Sequence, residues 1–145
     1  MREFSAEDHL INIPASRRVQ LRDGLGADLV GVTGHPGPRV TGFGGQAIGV
    51  DEITMLPGTR FDLHEHEGDH MLYVLEGRGG ITIGGELHEL SSGDAVFVPA
   101  ECPHGVTTVD GASHPFRFIS FGVPHHRLDD DERMHLVTAE QDHSH

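Results

Sequence analysis

Three histidines, His64, His66 and His70, fall within seven residues of one another. Imidazole is the commonest metal ligand among side chains, so a cluster of this density points first to a bound metal ion. On a β-strand, residues two apart share a side, so His64 and His66 aim at one point while Leu63 and Glu65 face away. Glu67-Gly68-Asp69 is short and turn-prone, which lets His70 open a returning strand beside the first pair. The stretch is bounded by Gly58 and Gly77. Further on, Gly93 to His104 repeats the sequence of glycine, short strand, proline turn and histidine.

The elements that must position these residues read as strands. Val19 and Leu21 alternate, and Leu29, Val30 and Val32 follow after Asp23-Gly24 and Gly26, predicting a hairpin within 16–33. Gly34-His35-Pro36-Gly37-Pro38 reads as a loop or boundary, because its prolines remove donors. Strand character returns over Gln46 to Leu56. Met71 to Leu75, Gly79 to Ile83, Glu86 to Leu90, Ala95 to Val98, Val106 to Val109 and Phe116 to Phe121 follow, separated by turn signals such as Gly84-Gly85 and Ser91-Ser92-Gly93-Asp94. Regular strand and turn alternation predicts an all-β sandwich or barrel. Phe97, Phe116, Phe118 and Phe121 are expected in its core or in the wall of a pocket. Tyr73 has the opposite parity to His70 and is expected to face outward. Met134 to Ala139 reads as a short final strand or helix.

Composition agrees. The 145 residues suit one domain, and 20 glycines with 8 prolines favour many short strands. The formal charge of −13 disfavours nucleic acid and anionic membrane surfaces as partners. No apolar run reaches the roughly 20 residues that span a bilayer. The single cysteine, Cys102, excludes an internal disulfide, and the N-terminus lacks a signal-peptide pattern, so a cytoplasmic protein is expected.

The two glycine-to-histidine segments resemble the motifs of the cupin superfamily. Gly58, His64, His66 and Gly77 match the first motif, with His70 where the family usually carries Glu. Gly93, Pro99 and His104 match the second, with Glu101 in place of Gly and Thr108 in place of Asn. The resemblance implies a double-stranded β-helix, the cupin or jelly-roll barrel, over residues 45–123 of a single domain 1–145. Residues 1–44 then form an N-terminal arm and strands, and 124–145 an acidic tail. It also implies a metal ion held by His64, His66, His70 and His104. With Glu101 in the glycine's place, the turn before His104 is expected to have an ordinary backbone, since Gly is demanded only where φ is positive.

Four neutral imidazoles leave the charge of a divalent ion uncompensated, making it a strong Lewis acid that attracts an anionic or enolisable small-molecule substrate. The resemblance favours Fe or Mn, with Ni, Co, Cu or Zn as alternatives. The expected function is therefore dioxygenase or oxygenase chemistry. The alternatives are a non-redox cyclase, isomerase or lyase, and a non-catalytic binding cupin. Glu52, Glu101 and His114 are the candidates for acid or base catalysis, and Cys102 for a soft extra ligand. The remaining histidines, His9, His35, His88, His125, His126, His135, His143 and His145, show no comparable convergence. Met71, Tyr73 and Leu75 give their strand an apolar outer side, which predicts a homodimer with segment 16–33 as the covering element.

Overall fold

The computed structural model describes residues 3–42, 44–65 and 67–128 and the pair 135–136; side chains are described for all of these except Asp62, Glu65, His135 and Leu136. The structure is built from antiparallel strands in two sheets. One sheet has the order β1-β2-β3-β10-β5-β8 and the other β11-β4-β9-β6-β7. The strands are β1 (Val19–Arg22), β2 (Asp28–Thr41), β3 (Ala47–Met55), β4 (Arg60–Glu65), β5 (Asp69–Glu76) and β6 (Arg78–Ile83). They continue as β7 (Glu86–Ser91), β8 (Ala95–Val98), β9 (His104–Thr108), β10 (Phe116–Val123) and β11 (His135–Leu136). A single helical turn, α1 (Ala6–His9), and a 3-10 turn at Ile13–Ala15 precede them. No described helix is long and apolar enough to cross a membrane.

Alternation builds the core. On β10, Phe116, Phe118 and Ser120 turn inward and Arg117, Ile119 and Phe121 outward. On β5, His70, Leu72 and Val74 turn inward and Met71 and Tyr73 outward. Ile53 and Met55 of β3 and Leu21 and Val32 of the β1–β2 hairpin complete the face of the first sheet. Phe61, Ile81, Leu90 and Val106 supply the opposing face from the second. Each fully buried side chain of this size contributes about 1.5–3 kcal/mol of transfer free energy, so the inter-sheet layer dominates stability.

Two expectations are corrected. Residues 34–38 are part of β2 and not a loop: His35 pairs with Glu52 and Pro36 with Asp51. The prolines are tolerated because β1 pairs with β2 only as far as Gly34, so their missing N–H groups interrupt no ladder on that side. The register shifts between Pro36 and Arg39, which absorbs the irregularity. Phe97 and Phe121, expected inside, are 51% and 42% exposed on the outer side of the first sheet. The hairpin in 16–33 forms as predicted and extends the edge of that sheet through β3.

Candidate metal centre

His64 and His104 are register partners on adjacent strands β4 and β9, and their rings stand 4.4 Å apart between centroids. His70 enters from the other sheet, where it faces Val98 on β8 and Gly122 on β10. All three are buried and line one interior cavity of about 30 Å³. Ile53, Phe61, Leu72, Val98, Val106 and Phe118 wall it, and among the described residues Ser120 is the other polar one. A volume of that size takes an ion with one or two waters.

A β-bulge sets the aim of His64. Phe61 pairs with Val106 and His64 with His104, so three steps on β4 oppose two on β9. The extra residue reverses the parity, and residues three apart both reach the same cavity. Their rings are 5.8 Å apart. Sequence alternation alone did not identify Phe61 or Ser120 as lining residues. The bulge leaves no compositional mark, whereas the shared parity of Ser120 with Phe118 was available as a signal.

The tautomer of His104 follows from its partner. Its Nδ1 lies 2.8 Å from the Cys102 carbonyl oxygen, which can only accept, so Nδ1 carries the proton and Nε2 keeps its lone pair. An outer hydrogen bond of this kind is what orients and pre-sets a metal-ligating imidazole. The turn that holds this carbonyl is closed by a hydrogen bond from Cys102 N–H to Pro99 O at 3.3 Å. Glu101 within it has φ of 59°, which corrects the expectation of an ordinary backbone. The left-handed conformation survives although the residue is not glycine. Cys102 itself is partly buried and does not line the cavity.

His66 lies outside the described residues. Among the described residues alone, no group of three donors is closed into a metal-holding cluster. The donor chemistry nonetheless fits a transition metal, since imidazoles from two sheets share one cavity and one of them is already fixed in the ligating tautomer.

The candidates for acid and base catalysis stand elsewhere. Glu52 is buried on the outer side of β3 and accepts hydrogen bonds from Arg117 at 3.0 and 3.1 Å. Arg117 also bonds Glu76. The Glu76 hydrogen bond, with Glu52 behind it, holds the Arg117 guanidinium above its ordinary pKa against the opposing effect of burial. Glu101 is exposed on its turn, and His114 is exposed beside Ser113, 2.9 Å from its hydroxyl. None of the three lines the cavity. His143 and His145 lie outside the described residues. His125, which showed no convergence in the sequence, is buried with its Nε2 2.7 Å from Asp51 Oδ2.

Comparison with known proteins agrees with the fold. Residues 51–122 match the family model Cupin_2, a cupin domain. Quercetin 2,3-dioxygenase of Bacillus subtilis is 36% identical over 74 residues, covering 48% of this chain and 21% of that protein. The dimethylsulfoniopropionate lyase DddW of Ruegeria pomeroyi is 34% identical over 65 residues, covering 44% of this chain and 43% of that one. The chain spans less than two thirds of the length of the curated relatives it matches. Among solved structures, the polyketide cyclase RemF of Streptomyces resistomycificus superposes with a TM-score of 0.64 at 24% identity, covering 84% of this chain and 87% of that one. The domain match over residues 51–122 supports the cupin superfamily, and the solved structures share its two-sheet barrel fold.

Proposed function

We propose that the protein is a metal-dependent oxygenase acting on a small, enolisable organic molecule, with the ion held by His64, His66, His70 and His104. The observation that carries the reading is the composition of the cavity. Histidines from both sheets line it, its walls are apolar, and Ser120 is the remaining polar lining residue among those described. Among the described side chains, no carboxylate lines it. Cyclisation, isomerisation and elimination require a protein group within reach that takes or gives a proton. Oxygenation of a substrate that reaches the ion already as an enolate, its proton lost to bulk water, makes no such demand on the protein.

The bound ion would supply Lewis acidity and, as Fe or Mn, access to dioxygen. The chain's own residues do the rest. The Cys102 carbonyl keeps His104 in one tautomer and one orientation. Phe61, Val106 and Phe118 exclude water and strengthen electrostatic interactions inside the cavity. Having His70 where a carboxylate is usual leaves the donor set neutral and favours an anionic substrate.

The reading includes a homodimer. It is supported by Met71, Tyr73, Phe97 and Phe121, all 42–51% exposed, which form one apolar patch on the outer side of β10, β5 and β8. Met71 pairs with both Phe97 and Phe121, so the patch is continuous across three strands.

The test is oxygen uptake by Fe- or Mn-loaded protein across a panel of enolisable substrates. Uptake abolished by His104→Ala is expected. Anaerobic turnover, with equal activity on redox-inert Zn, would replace this reading with the non-redox one.

A further inference from the structure

A second cavity, of about 170 Å³, shares no lining residue with the first. It lies where β2 and β3 meet the segment after β10, and its polar lining is Arg17, Arg39, Arg127, Asp51 and His125. Val19, Pro36 and Leu128 provide apolar wall. Three arginines around one hollow are unexpected in a chain with formal charge −13.

At its base the side chains of Asp51 and His125 are only 5% and 6% exposed. The His125 backbone is pinned by its N–H to Ala47 O at 2.8 Å and by Arg39 Nη2 donating to its carbonyl at 3.2 Å. Gly49 makes room for the ring: a Cβ there would lie 2.5 Å from His125 Cγ. Because the Asp51 carboxylate accepts, His125 Nε2 carries a proton. Asp51 Oδ1 and His125 Nδ1 are buried and have no hydrogen-bond partner among the described residues. A purely structural ion pair gains nothing from leaving two buried polar atoms unmet, and such atoms call for a ligand.

We propose that this cavity binds a short hydroxycarboxylate. The carboxylate takes the planar fork of Arg127. The ligand hydroxyl donates to Asp51 Oδ1. The short aliphatic body lies against Val19 and Leu128, and the volume holds several heavy atoms.

The test titrates the whole chain with lactate and with propionate, which differ by that hydroxyl, followed by calorimetry. Lactate should saturate in a roughly millimolar range, about fivefold or more tighter than propionate, the factor for one buried hydrogen bond. Arg127→Ala, at an exposed position, should weaken lactate several-fold without moving the thermal midpoint. Asp51→Asn should erase the preference for lactate. If that variant fails to fold, Arg127→Ala and the ligand pair still decide. Equal affinity for the two acids, lactate binding unaffected by Arg127→Ala, or no saturable binding would each overturn the proposal and leave the dyad as a clamp between β3 and the following segment.

Discussion

Replacing Glu101 by glycine should stabilise the protein, and the reason lies in one dihedral angle. Glu101 has φ of 59°, in the region where an L side chain crowds its own backbone. That conformation costs about 1–2 kcal/mol for a residue with a Cβ. Glycine removes the cost but gives back about 0.5–1 kcal/mol through the extra freedom of its unfolded chain. The side chain is exposed and makes no packing contribution to lose. The balance is about 0.5–1 kcal/mol in favour of Glu101→Gly, or roughly 3 °C in midpoint for a chain of this size. Urea denaturation and a thermal scan measure it, and Glu101→Ala is the control. Alanine keeps the Cβ and hence the penalty, so it should match the parent within a few tenths of a kcal/mol. Destabilisation by glycine, or equal stabilisation by alanine, would refute the argument from φ.

Other expectations follow from the same structure. Arg117→Met leaves the buried Glu52 carboxylate without its guanidinium and should cost about 1–3 kcal/mol by chemical denaturation, discounted for the partial exposure of Arg117; Glu52→Gln in the same background should recover part of it. Phe97→Glu and Phe121→Glu together place charge in the exposed apolar patch and should shift sedimentation of the proposed dimer to that of a monomer without loss of fold; an unchanged sedimentation coefficient would refute a dimer through this patch. Metal affinity should fall as pH drops through the ordinary imidazole range near about 6.5, because the ligands bind only as neutral rings. A chelator competition that gives the same affinity on both sides of that range would count against imidazole ligation.

Much of the architecture can be read along the chain, because it rests on alternation. The inward turn of His70 with the outward turn of Tyr73 follows from parity alone, and so does the seating of Phe116 and Phe118. Alternation does not say which outward face is covered, and Phe97 and Phe121 are therefore misplaced by a rule that sends every strand phenylalanine inside. It also fails where the ladder slips. The bulge that brings Phe61 and His64 to one cavity and the irregular β2 through Pro36 both depend on what the neighbouring strand does. Asp51 and His125 are 74 residues apart, so their pairing is a property of the fold alone. The one local sign was a carboxylate at the inward parity of β3, two residues before Ile53. At Glu101 the absence of the family's usual glycine does not relax the turn: the structure retains the left-handed backbone and bears the strain.

The central claim is that imidazoles from both sheets hold one ion in the first cavity. Elemental analysis of tag-free protein tests it most directly, comparing the parent with His64→Ala, His70→Ala, His104→Ala and the exposed control His114→Ala. The account predicts about one transition-metal ion per chain in the parent and the control, with loss or sharp reduction in the other three. Retention of the full metal content by His104→Ala, or a parent that takes up no ion when offered Fe, Mn or Zn, would contradict it.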